Sequence, residues 1–538
     1  MSNAYPDKLQ LHIDGEWIDG DDRDIHQVVN PATGETISDL PKATKADLDR
    51  ALDAADRAFP VWRDTPVAER AAILHKAADL MRERAPEIGR LMTYEQGKPL
   101  GQAIGEVTAS ASHFDIMAEE AKRCYGRVLV RPAGQNSFVK YQPVGPVAAF
   151  SPWNFPVFTP VRKLAPAIAA GCSIILKPAE ETPASPIEMI RCLVDAGLPS
   201  GVAQVVFGDP AEVSSHLIAS PVIRKISFTG SVPVGKHLMK LAAEGMKRTT
   251  MELGGHAPVL VFDDCDIEKA LDLTAMQKYR NAGQVCVSPT RFYVQSGIYD
   301  RFVKGFTERA AKVAVGDGFD DGVEMGPLAN PRRPSSVGDM INDAKSKGAE
   351  VMLGGNRQDK QGFFFDPTVL SHVPLDASIM NDEPFGPVAV MRPFDTLDEA
   401  IEQANRLPLG LAAYAFTNSL RTANLIGDKI EAGMVAINNL TVSPGDAPFG
   451  GVKESGHGSE DGPDGLKAYM VTNPETAERE SFLNFVARRH EGTKKIGYLK
   501  FLRLLVSLCD ILEDKLQPKL RVSKESKDEK THRRADFG

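Results

Sequence analysis

The chain has 538 residues, a formal net charge of -9, 42% apolar and 25% charged residues. That length calls for two or three domains sharing a large core, and the composition is that of a soluble globular protein. The acidic balance argues against generic nucleic-acid binding, which needs a basic face.

Along the chain, Leu11-His12-Ile13-Asp14-Gly15-Glu16-Trp17-Ile18 alternates about an Asp-Gly turn and predicts a hairpin. Residues 45–59 and 66–84 are alanine-rich with helical spacing. Two strand-like runs follow between Phe138 and Ser151, the second being Val147-Ala148-Ala149-Phe150. From there strand and helix alternate: helix 160–170, strand 172–177, helix 186–196, strand 204–207, strand 223–228 and helix 234–243. This order argues for βαβ units and a parallel sheet. A second alternating series opens at Ala257 and runs to about Asn438, including strands at 292–295 and 388–391 and a helix over 298–313. The elbow Glu252-Leu253-Gly254-Gly255 between the two series reads as a domain junction. The segment from Arg479 differs from the rest, with fifteen basic and nine acidic residues. It reads as an atypical basic tail, partly helical over 496–516 and disordered beyond Pro518.

Six cysteines (Cys124, Cys172, Cys192, Cys265, Cys286, Cys509) show no CxxC pair and no metal-ligand spacing. No disulfide framework and no metal site are expected, and a reducing compartment is. Residues 1–22 lack a signal-peptide pattern, and no run of about twenty uncharged apolar residues exists to span a membrane. The expected location is the cytoplasm.

Three segments carry chemistry. Cys286 lies between small residues, Gly283 and Ser288, beside the polar Gln284. A lone cysteine is more often a buried structural thiol, but this setting leaves the sulfur room to act as a nucleophile. Glu252 is flanked by apolar Met251 and Leu253 and by Gly254-Gly255, a setting that raises a carboxylate's pKa and suits a general base. Asn154 stands on a loop stiffened by Pro152 and Pro156, and a rigidly held amide is what an oxyanion requires. Two further segments suggest a nucleotide. Phe228-Thr229-Gly230-Ser231 reads as a turn into a helix, which exposes backbone N–H groups to a phosphate, although it does not match GxGxxG. Lys177 and Glu180 follow a strand, where they are placed for ribose hydroxyls.

With Glu383-Pro384-Phe385-Gly386-Pro387 and Pro448-Phe449-Gly450-Gly451, these segments stand in the order and spacing of the aldehyde dehydrogenase superfamily, which the chain resembles from about Leu9 to Thr472. The resemblance implies an α/β fold with a Rossmann-type cofactor domain (1–121 and 143–252), an α/β catalytic domain (253–446) and a small β oligomerisation element (122–142 and 447–476), with 477–538 outside it. It implies that Cys286 attacks the aldehyde while Asn154 and the Cys286 N–H hold the oxyanion, and that Glu252 activates the water that releases the acid. Trp153, Lys177, Glu180, Gly230, Ser231, Glu383 and Phe385 would bind the cofactor. Glu180 would repel a 2′-phosphate, so NAD is expected over NADP. A homodimer or homotetramer is expected.

Within the superfamily the chain looks most like the succinate-semialdehyde dehydrogenases. Arg162 and Arg280 match arginines that hold the substrate carboxylate there, and Ser443 adds a hydroxyl. Arginine grips a carboxylate in a bidentate fork, so a short ω-carboxylate aldehyde is the expected substrate. Either arginine as a structural ion pair is the competing reading. The alternatives are an enzyme for neutral or other small anionic aldehydes and a non-catalytic binding member of the fold. Ser288 stands where relatives often carry a second cysteine, so no local disulfide is expected. The 438–446 segment also departs from the succinate-semialdehyde pattern.

Overall fold

A computed structural model of the chain describes residues 5–20, 22–442 and 444–478. Ser443 and the basic tail therefore lie outside the described residues. Two compact units are resolved. One comprises Met1–Tyr125 and Tyr141–Val471; the other comprises Gly126–Lys140 and, among the described residues, 472–478.

The first unit is α/β, built on two sheets. The larger has eight strands in the order Glu16–Ile18, Leu11–Ile13, Ala203–Val205, Ile174–Lys177, Val147–Phe150, Lys225–Thr229, Arg248–Glu252, Gly456–His457. The hairpin pairs Leu11 with Ile18 across its Asp-Gly turn. The five strands between the hairpin and Gly456–His457 run parallel, and the hairpin and the last strand cap the edges antiparallel. Val147–Phe150 and Ile174–Lys177 are buried along their whole length, as parallel strands covered on both faces must be. The seven-stranded sheet runs Glu350–Leu353, Thr368–Ser371, Val388–Phe394, Arg291–Gln295, Pro258–Val261, Ala412–Phe416, Met434–Ile437, parallel except for its first edge strand. Two hydrophobic cores follow the two sheets. In the first, the residues of the helix–strand series end at Leu253; the second begins at Ala257, so the Gly254-Gly255 elbow lies between them.

Local sequence explains the helices that matter here. Lys45–Asp64 starts with a capping box, Thr44 and Asp47 each bonding the other's backbone N–H. It runs past Pro60, where the sequence pattern stopped, because Trp62 is buried and donates its indole N–H to Ile168 O at 3.0 Å. Helix Phe158–Ala170 ends at Gly171, whose φ of 97° closes the last turn. Leu100–Lys122, which the alternation did not bring out, packs against Val67–Glu83, Ala85–Gln96 and Phe158–Ala170.

The second unit carries most of a three-stranded sheet ordered Met470–Glu478, Gln135–Pro143, Arg127–Leu129. Within it, Lys140 pairs with Glu475 at 2.5 Å and Ser137 with Thr476 at 2.8 Å. No helix among the described residues is long and apolar enough to cross a membrane.

Candidate active site

Parallel pairing puts the candidate residues of the first half on one edge. Phe150 stands opposite Lys177, and Thr229 opposite Glu252, so the loops that follow all leave the carboxyl ends of the strands. Trp153, Asn154, Glu180, Gly230 and Ser231 are on those loops, where ligands bind in open α/β sheets. From the other sheet come residues that precede its strands: Cys286 before Arg291–Gln295, and Glu383 and Phe385 before Val388–Phe394.

These parts line one cavity of about 750 Å³. Trp153, Asn154, Arg162, Gly230, Ser231, Glu252, Arg280, Cys286, Glu383 and Phe385 all face it. Lys177 and Glu180 do not line it; they pair with each other at 2.5 Å at the end of their strand, and Glu180 also accepts from Gly208 N at 3.3 Å.

The segment before Cys286 is held in an unusual backbone. Asn281, Ala282 and Gly283 have φ of 50°, 52° and 70°. A Cβ on Gly283 would stand 2.1 Å from Gly386 O, so only glycine fits. Side chains lock the run. Asn281 Nδ2 donates to Asn154 O at 2.9 Å, and Asn154 Nδ2 donates to Gln284 O at 3.0 Å. Gln284 Oε1 accepts from Ala329 N at 3.0 Å. The loop of Asn154 is fixed from the other side by Lys98, which donates to Asn154 O at 2.9 Å and pairs with Glu106 at 2.5 Å. Glu106 in turn accepts the backbone N–H groups of Val157 and Phe158 at 3.0 and 3.1 Å, capping helix Phe158–Ala170.

Burial pushes the Cys286 thiol up to about 12, with the charges of Glu383 and Glu252 adding and that of Arg162 opposing. The resting sulfur is a thiol. Glu252 is 2% exposed, and neither of its oxygens has a hydrogen-bond partner among the described residues. Burial first, then the charge of Glu460, holds its pKa well above the usual carboxylate range, against Lys163 and Arg162. Lys163 is itself committed, donating to Thr229 Oγ1 at 2.7 Å and pairing with Glu460 at 2.5 Å. Gly450 packs beside Glu252: a Cβ there would lie 3.3 Å from Glu252 Oε1. Glu383 is pushed up to about 8 by burial, with a Gly255 backbone hydrogen bond, Arg333 and Lys278 pulling the other way. Phe385 meets Trp153 edge-on, ring centroids 5.5 Å apart.

The two arginines have different surroundings. Arg162 is 5% exposed, lies over the rings of Phe158 and Phe449 at 4.4 and 4.0 Å, and pairs with Asp461 at 2.8 Å. Arg280 is exposed and has no carboxylate partner among the described residues; Phe155 lies under it at 5.8 Å. Lys98, Glu106, Asn281, Arg333, Glu460 and Asp461 belong to the site or its supports, yet no local sequence signal marks them. Each is a charged or polar residue whose burial depends on distant elements.

A chain with these parts has known counterparts. The sequence profile of the aldehyde dehydrogenase family matches residues 17–473. The 4-(hydroxymethyl)benzenesulfonate dehydrogenase TsaD1 of Comamonas testosteroni is 48% identical over 480 residues, covering 89% of this chain and 98% of the relative. The NADP succinate-semialdehyde dehydrogenase GabD of Escherichia coli K12 is 42% identical over 87% of this chain and 97% of its own length. A crystal structure of succinate-semialdehyde dehydrogenase from Burkholderia pseudomallei superposes with a TM-score of 0.86 at 41% identity, covering 87% of this chain and 98% of that one. With the profile spanning most of its length and a catalytic-type cavity at the strand ends, the chain belongs to the aldehyde dehydrogenase family.

Proposed function

We propose that this NAD(P)-dependent aldehyde dehydrogenase oxidises an aldehyde that carries its own anionic group, using Cys286 as nucleophile, Asn154 as oxyanion donor and Glu252 as base. One observation carries the reading: a thiol, an amide and a carboxylate free of hydrogen bonds converge on a cavity whose rim presents Arg280 without a carboxylate partner. The Cys286 thiol gives its proton to solvent, and the thiolate sulfur bonds to the aldehyde carbon. The oxyanion is received by the Asn154 amide and the Cys286 backbone N–H. Departure of the carbonyl hydrogen as hydride leaves a thioester on Cys286. Glu252, as the carboxylate, then takes a proton from water while the hydroxide adds to the thioester carbon; the adduct expels the Cys286 thiolate and releases the acid, and the proton on Glu252 returns to the sulfur.

The residues present suit a dinucleotide, which when bound accepts the hydride. Helix Val232–Glu244 has no side-chain cap at Ser231, leaving the Val232 and Val234 N–H groups for a phosphate, Pro233 between them having none. A Cβ on Gly230 would come within 2.4 Å of the Phe228 ring, so the turn stays bare. Lys177 and Glu180 are assigned to the adenosine ribose, Glu383 to the nicotinamide ribose, and Trp153 and Phe385 to the walls about it. The buried Glu180 carboxylate supports NAD over NADP.

The sequence favours a short ω-carboxylate aldehyde. A second reading, an aryl aldehyde with an anionic substituent, is supported by the aromatic lining from Phe155, Phe158 and Phe449 and by the relative named for a benzenesulfonate. NADH formation across succinic and glutaric semialdehyde, 4-carboxybenzaldehyde, benzaldehyde and hexanal tests both, with NAD and NADP at equal low concentration. Anionic aldehydes and NAD are expected to lead. Preference for neutral aldehydes would discard the anion contact and keep the chemistry.

A further inference from the structure

Asp461 has no role in the steps above, yet its surroundings bear on what the cavity accepts. It is 1% exposed and holds φ 60°, a left-handed backbone that costs a side-chain-bearing residue about 1 kcal/mol or more. The chain is pinned there, because Glu460 and Phe449 exchange both backbone hydrogen bonds at 2.7 and 2.8 Å. Asp461 Oδ2 lies 2.8 Å from Arg162 Nη2, and Oδ1 lies 3.2 Å from His113 Nε2. The Arg162 guanidinium is thus met by a carboxylate at one edge and by the Phe158 and Phe449 rings.

We propose that Asp461 is a specificity-determining residue that neutralises Arg162, so that the cavity reads a substrate's anion through Arg280 alone. The inference rests on the reading of this site as one for anionic aldehydes and chooses among them. An anion beside a buried guanidinium that already faces a carboxylate gains little, because the charge it would meet is largely cancelled within the pair. An anion at the exposed rim meets the charge of Arg280 with no competing carboxylate. Both arginines line the cavity, but Arg162 is buried at 5% exposure whereas Arg280 is exposed. The preferred substrate therefore carries its anion at the far end of a spacer that crosses the aromatic cavity, as on an aryl ring. A short chain would place its carboxylate beside Arg162.

The test compares wild type with Asp461→Asn, Arg162→Met and Arg280→Met on succinic semialdehyde, 4-carboxybenzaldehyde and neutral benzaldehyde, reading ratios of kcat/KM. Wild type should favour 4-carboxybenzaldehyde. Asp461→Asn, which removes the negative charge facing Arg162 at nearly unchanged shape, should raise the succinic semialdehyde to benzaldehyde ratio about tenfold, mainly through KM. An unchanged ratio in a folded Asp461→Asn protein overturns the inference. Should that variant fail to fold, Arg162→Met decides: a change of under about twofold in the same ratio supports neutralisation, and a drop of about tenfold overturns it. The underlying reading fails separately, when wild type treats anionic and neutral aldehydes alike and Arg280→Met alters neither ratio.

Discussion

At the scale of single residues, burial raises the pKa of two groups in the site. Cys286, pushed up to about 12, is a thiol at neutral pH, and Glu252 is raised for the same first reason, burial. Alkylation of Cys286 in the unliganded protein should accordingly speed up about tenfold per pH unit from pH 7 to 10 without levelling off, since only the thiolate reacts. A plateau below pH 9 would show a thiolate already stabilised at rest. Cys286→Ala should abolish oxidation and leave nucleotide binding intact. Glu252→Gln should give a burst of one NADH per site and then a steady rate lower by about 100-fold or more, the usual contribution of a general base. Equal burst and steady rates in that variant would take Glu252 out of thioester hydrolysis. The thiol and carboxylate stood out as candidates beside small residues, and the amide did so through the two prolines that stiffen its loop. Asp461 and Glu460 did not, because a Gly-, Ser- and Pro-rich stretch reads as exposed loop until its contacts with Arg162 and Lys163 are seen.

At the scale of elements, the position of the nucleophile depends on backbone as much as on side chains. Three successive left-handed residues precede Cys286, and only the third is a glycine. Gly283→Ala would add a Cβ 2.1 Å from Gly386 O in a backbone already at φ 70°, so the turn and the Glu383–Phe385 loop must part. A displacement near 1 Å at a reacting group costs about 100-fold in rate. Gly283→Ala should lose activity on that scale, with KM for the dinucleotide raised as well because Glu383 moves. Full activity would show that the loop yields without shifting Cys286. Element order was readable from alternation because buried parallel strands are short apolar runs between helices. Leu100–Lys122 was not, because Ala, Ser, Thr and Gly are spread around all its faces. Its function in the site, through Glu106, comes from packing alone.

At the scale of the whole molecule, chemistry is assembled from both sides of the Gly254-Gly255 elbow. A Cβ on Gly254 would stand 2.6 Å from Glu383 Oε2, and one on Gly255 would stand 2.9 Å from Cys286 O, so the elbow lets the two cores approach closely. The second unit contributes none of its described residues to the cavity lining. It does carry Val128 and Val130 at 77% and 94% exposure, on and just beyond the strand Arg127–Leu129 at the end of its sheet. An exposed edge strand with bare valines offers unpaired N–H and C=O groups and apolar area to another chain. We therefore expect self-association through this strand into a dimer or tetramer, the assembly that the family resemblance implies. Light scattering should give two or four times the mass of one chain. Val128→Asp with Val130→Asp should reduce it to a smaller species, because two buried charges per strand outweigh the apolar gain. A wild-type monomer, or a double variant that keeps the wild-type mass, would remove the strand from the interface and leave the cavity chemistry untouched.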